Sequence, residues 1–271
     1  MRVQVLIDNI TKSDLMSEWG LSFYIEFDGK KILFDTGASG SFAENAEKLG
    51  INLEDIEYGV LSHAHYDHGD GMPVFFTKNK KAFFYIRKGA DENCYGKKNF
   101  FLYKYNGIGK GILGNYHERI RYVEGDYELL PGVYLIPHKT LGLEKIAKKV
   151  DLYVKENGKM FPDDFAHEQS LVFDTPRGLV IFNSCSHGGP DNIIHEIETT
   201  FPEKEICAYI GGLHLYKSSE TEIRALAKRI QETGIRRVIT GHCTGDEGFS
   251  ILKKELGDVI EQMYTGMEIE L

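Results

Sequence analysis

The sequence lacks the features of secreted, disulfide-rich and membrane proteins. Its 271 residues include only four cysteines, which lie far apart and form no CxxC pair. No apolar run approaches the ~20 residues that a membrane-spanning helix needs, and only a short apolar run precedes Asp8. These absences exclude a disulfide framework and a membrane span. We therefore expect no signal peptide, no membrane partner and a reduced, cytoplasmic location.

A linker is also missing. No stretch rich in proline, serine or glycine and no low-complexity tract divides the chain. At about 100–200 residues per domain, the length allows two small domains or one large domain. Because one α/β or sandwich domain of this size can bury a substantial core, we favour a single domain over residues 1–271.

Negative charge is unevenly distributed along the chain. There are 32 basic and 41 acidic residues, a net charge of −9, yet residues 78–121 contain eleven basic and three acidic side chains. The same segment is rich in aromatic residues, which predicts an insertion or lid. A cationic lid attracts a phosphate or diphosphate on a small ligand, and stacking aromatics could equally serve nucleic acid. A solvated insertion that packs on its own tyrosines is the third interpretation.

Hydrophobic patterning predicts two halves of similar plan. The first has strands at 2–7, 21–27 and 31–34, with the hairpin signal Asp28-Gly29, then a helix at 41–49 and a strand at 58–61. The second has strands at 133–136, 152–154, 170–174 and 179–182. It then alternates, with helices at 192–199, 219–233 and 248–256 and strands at 206–210 and 237–240. The pattern predicts an α/β fold of two sheets packed face to face with helices outside.

One short motif concentrates metal-binding side chains. Residues 62–71 read SHAHYDHGDG and contain His63-x-His65-x-Asp67-His68. If the preceding strand geometry persists, His63 and His65 point to the same side. Two imidazoles can bind one divalent ion, and Asp67 with His68 can bind a second. Two ions about 3.5–4 Å apart can share a hydroxide and hold a substrate oxygen. The alternative is a set of satisfied surface histidines.

The motif HAHYDHGDG resembles the signature of the metallo-β-lactamase superfamily, and the order of the other motifs agrees over nearly the full chain. The resemblance implies a four-layer αββα sandwich with one or two metal ions at the sheet edges. It also implies a mainly structural role for Asp35, beside the metal ligands, and a ligand role in the second metal site for His242.

Three later motifs resemble one branch of that superfamily, the 7,8-dihydropterin-6-methyl-4-(β-D-ribofuranosyl)aminobenzene 5′-phosphate synthase-related proteins. They are NSCSHGG at 183–189, GGLHL at 211–215 and GHCTG at 241–245. The branch resemblance implies a transferase that displaces diphosphate from an activated dihydropterin.

The chain departs from the superfamily pattern at one place. Cys185 stands where most members have a metal-bridging aspartate, and three histidines compete to complete the first metal site: His167, His187 and His214. His187 follows a buried strand on a glycine-rich loop and is favoured, with His214 next as a ligand or substrate contact. Cys185 is either a thiolate ligand or a small buried apolar residue. The isolated His117, His138 and His195 are interpreted as ordinary surface or core histidines.

These inferences predict a metal-dependent hydrolase with two divalent ions, zinc being expected and manganese or iron the alternatives. One ion is assigned to His63, His65 and His187, and the other to Asp67, His68 and His242. A metal-bound hydroxide would attack a small anionic, phosphorylated substrate, and Asp67 would also accept or relay a proton. Besides the transferase, a nucleic-acid processing enzyme and a ligand-sensing protein are kept as alternatives, although nucleic acid is not the expected partner.

Overall fold

The computed structural model describes residues 1–99 and 101–271. Within these residues the strands are β1 (Arg2–Ile7), β2 (Ser22–Phe27), β3 (Lys30–Phe34), β4 (Tyr58–Val60), β5 (Phe83–Arg87), β6 (Cys94–Lys97), β7 (Tyr103–Tyr105), β8 (Ile120–Val123), β9 (Tyr127–Leu130), β10 (Val133–Pro137), β11 (Leu152–Glu156), β12 (Lys159–Pro162), β13 (Gln169–Thr175), β14 (Gly178–Phe182), β15 (Ile206–Ile210), β16 (Arg237–Thr240), β17 (Ile260–Gln262) and β18 (Glu268–Glu270). The α-helices are α1 (Ser41–Lys48), α2 (Tyr66–Gly69), α3 (Met72–Lys78), α4 (Ile112–Asn115), α5 (Glu144–Val150), α6 (Pro190–Thr200), α7 (Glu220–Thr233) and α8 (Gly245–Leu256).

Two large sheets form the centre of the molecule. The first has the order β18-β1-β2-β3-β4-β5-β8 and the second β17-β16-β15-β14-β13-β10-β9. Their inner faces share one apolar core, in which the rings of Phe23 and Phe182 lie 5.6 Å apart. Helices α1 and α3 cover the outer face of the first sheet, and α6, α7 and α8 cover that of the second. The predicted αββα sandwich is therefore confirmed.

Local sequence signals explain two of the connections. Asp28 and Gly29 have φ values of 47° and 73°, which is the conformation that a two-residue hairpin turn requires. Ser219 and Glu222 form a capping box at the start of α7, and Gly234 ends that helix with a φ of 72°.

The expected insertion at residues 78–121 needs correction, because both of its ends belong to the first sheet. Strand β5 pairs with β4, and β8 pairs with β5. Only the middle part forms a separate layer, in which β6 and β7 join β11 and β12 in a four-stranded sheet. The mixture of aromatic and basic residues obscures the strand pattern of β5 in the sequence, although its Phe84 and Ile86 are buried. Some of the basic groups lie over rings, as Arg121 does over Phe83 at 3.7 Å.

The topology brings the polar motifs to one edge of the sandwich. Strands β3, β4 and β5 are parallel to one another, as are β14, β15, β16 and β17. Each predicted motif follows the carboxyl end of one of these strands, and such ends meet at one edge. No helix among the described residues combines the length and apolar character that crossing a bilayer requires.

Gly71 immediately precedes α3 and packs against the loop between β3 and α1. A Cβ atom there would lie 2.2 Å from the Thr36 carbonyl oxygen and 2.5 Å from that of Ser39. We expect Gly71→Ala to lower the free energy of unfolding by about 1–3 kcal/mol, because backbone must move to relieve the overlap. Urea unfolding measures this. Gly114→Ala is the matched control, since a Cβ there meets nothing within 4 Å, and an equal effect of both substitutions would contradict the steric explanation.

Candidate metal centre

Three buried histidines form the first half of the centre. The ring centroids of His63, His65 and His187 lie 4.7–4.8 Å apart, and the Nε2 atoms of His63 and His187 are separated by 3.3 Å. Burial, together with the neighbouring histidines, lowers the pKa values of His63 and His187 well below the usual range. Neutral imidazoles at this spacing present lone pairs, which is the form that metal ions bind.

The second half contains Asp67, His68 and His242. The Nε2 atoms of His68 and His242 lie 3.2 Å apart, and Oδ2 of Asp67 lies 3.8 Å from the first and 3.5 Å from the second. Burial acts to raise the pKa of Asp67, but the two histidines outweigh it and hold that pKa below its usual range. Asp67 is thus an ionised carboxylate between two imidazoles.

Asp35 orients histidines of both halves. Its carboxylate accepts hydrogen bonds from the Ser62 amide and hydroxyl, both at 2.7 Å, and from His68 Nδ1 at 2.8 Å. Because the Ser62 hydroxyl donates to Asp35, its oxygen accepts from His63 Nδ1 at 2.7 Å. Each histidine therefore carries its proton on Nδ1 and directs the Nε2 lone pair into the centre. Asn9 does the same for His242, whose Nδ1 is 3.0 Å from the Asn9 amide oxygen.

These tautomers decide whether the donor set suits a metal ion. The Nε2 atoms of His68 and His242 face one another at 3.2 Å, and those of His63 and His187 are 3.3 Å apart. Buried His65 Nε2 and His187 Nδ1 have no hydrogen-bond partner. Imidazole nitrogens this close repel one another unless a proton or a metal cation lies between them, and together with the Asp67 carboxylate they form a nitrogen and oxygen donor set that fits divalent ions.

Cys185 lies between the two halves. Its Sγ atom is 3.3 Å from His68 Nε2, and it also lies within 4.8 Å of the facing ligand atoms of His63 and His187. The thiol is completely enclosed, and burial raises its pKa well above the usual value. A thiol here occupies the central position, where a bound cation would favour the thiolate.

The structure separates the three histidines that compete for the first site. His167 Nδ1 accepts a hydrogen bond from the Ala64 amide at 3.2 Å, so its proton is on Nε2, which donates to Asp163 at 3.0 Å. Both ring nitrogens of His167 are thereby used. His214 packs its ring 4.2 Å from that of His187 and lies beside Cys185 and Cys243. The geometry favours His187 as the third nitrogen ligand.

A buried Glu–His–Glu chain fixes the loop that carries His187. The Glu168 carboxylate accepts hydrogen bonds from the amides of His187 and Gly188, both at 3.0 Å. His138 lies between Glu168, at 2.5 Å, and Glu196, at 3.0 Å. The sequence alone gave no reason to single out His138, because its partners are 30 and 58 residues away.

Strained backbone and exposed aromatic rings surround the centre. Left-handed φ values occur at Asp35, Ser186, His214 and His242, and strain of this kind is typical of functional sites. Trp19, which the sequence left without a role, is half exposed and lies 5.1 Å from the His242 ring. Only the fold brings it there.

Asp35 is the first residue to test. We expect Asp35→Asn to weaken zinc binding about 10- to 100-fold, because the amide cannot accept all three hydrogen bonds that fix the histidine tautomers. Competition with a fluorescent zinc chelator measures the affinity. Asp55→Asn is the control, since Asp55 lies on the surface beside Lys31. Unchanged affinity in a folded Asp35→Asn protein would show that the histidines orient themselves.

The raised pKa of His138 leads us to expect a pH-dependent contribution to stability. Burial lowers its pKa, but hydrogen bonds to Glu168 and Glu196 outweigh burial and raise it to about 9. A histidine with a raised pKa stabilises the fold fully below its unfolded pKa of about 6.5, and this contribution disappears as the pH rises through about 9. The stability lost in His138→Gln should therefore be about 2–3 kcal/mol at pH 6 and much smaller at pH 9.5. Urea unfolding across this range measures it, with His195→Gln, on the exposed side of α6, as control. A loss independent of pH would contradict a charged His138.

Comparisons with known proteins identify the family to which the chain is similar. A family model described as the metallo-beta-lactamase superfamily matches residues 20–142. The 7,8-dihydropterin-6-methyl-4-(beta-D-ribofuranosyl)-aminobenzene-5′-phosphate synthase of Methanocaldococcus jannaschii is 27% identical, over 95% of this chain and 92% of the relative.

Solved structures show the same architecture. The crystal structure of Tm1679, described as a metal-dependent hydrolase of the beta-lactamase superfamily, is 32% identical, with a TM-score of 0.87 over 100% of this chain and 99% of that chain. A diphosphatase from the PhnP family, 13% identical with a TM-score of 0.57 over 100% and 97% of the two chains, shares the fold alone. The family model matches residues 20–142, the likeness to Tm1679 extends over the full length, and the histidines cluster as described above. The chain therefore belongs to the metallo-β-lactamase superfamily.

Proposed function

We propose that the protein is a metal-dependent hydrolase of a small anionic, phosphorylated substrate. The observation that carries this proposal is a cleft of about 430 Å³ beside the metal centre, whose lining includes Lys97, Lys98, Lys104 and Lys217. Tyr66, between His65 and Asp67, and Tyr216, 4.8 Å from the His214 ring, form the side nearest the centre.

The cleft has an excess of positive charge. The one carboxylate in its described lining, Asp151, is paired with Lys217 at 2.9 Å. Four lysines against one carboxylate give the described lining a net positive charge, and such a surface attracts anions even though the whole chain is negative. A phosphate held by the lysines would place its attached group toward Tyr66 and the metal centre.

We assign one ion to His63, His65 and His187 and the second to Asp67, His68 and His242, with zinc as the expected metal. Bound divalent ions would supply a water of lowered pKa and polarise the oxygen of the bond under attack. The protein residues orient the imidazoles through Asp35, Asn9 and Glu168. Because the pKa of Asp67 is low, this carboxylate suits a ligand role better than the proton-accepting role expected from the sequence.

A second candidate is the synthase reaction, displacement of diphosphate from an activated dihydropterin. The name of the Methanocaldococcus jannaschii relative, which matches along almost its full length, favours it. Cys185 at the central position also favours it, since a sulfur there occupies room that a shared water would need. The same lysines would then hold the leaving diphosphate.

The lysine cleft provides the test. Zinc-loaded protein is assayed with mono- and bis-p-nitrophenyl phosphate and a panel of phosphorylated metabolites. For a substrate that is turned over, we expect Lys104→Ala to raise KM about tenfold with little change in kcat, because a charge-assisted hydrogen bond to the phosphate is lost. Lys254→Ala, on the exposed end of α8, is the control.

The outcomes separate the two candidates. Hydrolysis that depends on the metal and on Lys104 supports the hydrolase. Release of diphosphate only when a dihydropterin diphosphate and an acceptor are both supplied supports the synthase. Turnover that is insensitive to Lys104→Ala contradicts the assignment of the cleft as the substrate site.

A further inference from the structure

A second group of soft ligands lies beside the metal centre. Cys185, His214 and Cys243 each offer one ligand atom, and these three atoms lie within 4.8 Å of one another. They come from the loops that follow β14, β15 and β16. His214 and Cys243 belong to neither of the ligand sets assigned above.

His214 is partly buried, and its two ring nitrogens are the enclosed part of the side chain. Both of its ring nitrogens are inaccessible to water, and neither makes a hydrogen bond to a nitrogen or oxygen atom, which leaves the nearby thiols as their neighbours. The neighbouring rings of His187 and Tyr216 meet it at angles of 64° and 70°, as packing contacts. An imidazole with two unsatisfied nitrogens costs stability, because each lost its hydrogen bonds to water on burial. The residue also has a left-handed φ of 49°, which turns its side chain toward the two thiols at a cost in backbone strain.

The backbone leaves room for the second thiol. A Cβ atom on Gly212 would lie 2.5 Å from Cys243 Sγ and 2.7 Å from the Ser184 carbonyl oxygen. Only glycine therefore permits the Cys243 thiol to sit against this loop. Its contact with the Cys185 carbonyl oxygen at 3.5 Å is a weak hydrogen bond, so little is lost if the sulfur turns to another partner. Both cysteines are free thiols.

We propose that Cys185, His214 and Cys243 form a third metal position that takes a thiophilic ion, zinc in the cell. Zinc binds sulfur at about 2.3 Å and imidazole nitrogen at about 2.0–2.1 Å, which in a tetrahedral site separates ligand atoms by about 3.5–3.8 Å. Atoms already within 4.8 Å of one another reach this spacing with small side-chain rotations. Two thiolates and one imidazole select zinc over manganese or magnesium.

The bonds formed and the protons released on zinc binding at this position can be counted. Two S–Zn bonds and one N–Zn bond form, and the two thiol protons leave to solvent. The ion has three protein ligands and keeps a fourth position for water or an exogenous ligand. Because Cys185 Sγ is also 3.3 Å from His68 Nε2, its sulfur links the third position to the second half of the centre, whereas Cys243 and His214 act at the third position alone.

The test counts bound ions rather than turnover, so it is independent of the proposed hydrolysis. Protein reduced and handled without oxygen is titrated with Cd²⁺, followed by the ultraviolet thiolate-to-cadmium absorption band, and its zinc content is measured by plasma mass spectrometry. We expect Cys243→Ser and His214→Gln each to bind one ion fewer than the unmodified protein. Cys243→Ser should lose about half of the thiolate absorption.

Two controls keep the result interpretable. Cys207→Ser removes a thiol from the sandwich core, in strand β15, and should leave ion number and absorption unchanged. Circular dichroism shows whether each variant folds, and His214→Gln answers the question if Cys243→Ser does not. Unchanged stoichiometry and absorption in folded variants would overturn the proposal. A Cys185–Cys243 disulfide that persists after treatment with reductant, or loss of every ion from folded Cys243→Ser protein, would overturn it as well.

Discussion

The buried carboxylate of Asp35 is the interaction on which the centre depends. It stands at the end of β3 with a left-handed backbone, and it receives three hydrogen bonds from the adjacent loop. A charge without exposure to water is tolerated because those bonds satisfy it. The Asp35 carboxylate also determines which ring nitrogen of His63 and of His68 carries a proton. One residue of the first sheet therefore prepares ligands of both halves of the centre.

Much of the fold followed from the sequence because the signals were local. The Asp28-Gly29 turn, the capped helix α7 and the apolar strands around the second hairpin have propensities that the tertiary structure does not override. The fold was misjudged where local and global signals disagreed. Strand β5 carries buried and half-buried aromatic residues next to lysines, and its place in the first sheet depends on pairing with β4 and β8, which local periodicity does not reveal.

The site was predictable to the extent that its residues are close in sequence. The spacing of His63, His65, Asp67 and His68 indicated the centre directly. The partners that position these residues come from distant segments: Asn9 acts on His242 across 233 residues, and His138 acts through Glu168 on the His187 loop. Neither Asn9 nor His138 belongs to a recognisable sequence motif, because a single hydrogen bond needs only one suitable atom in the right place. The arrangement of His167 likewise became clear only from its contacts with Ala64 and Asp163.

The centre also joins parts of the chain that no covalent bond connects. The paired nitrogens of His63 and His187 are 124 residues apart, and those of His68 and His242 are 174 residues apart. In each pair one residue follows a strand of the first sheet and the other a strand of the second. An ion held by both would close a very long loop of the unfolded chain, as a disulfide does. In a protein whose cysteines are all free thiols, metal supply would then govern how firmly the two sheets stay together, and so how long the molecule resists proteolysis.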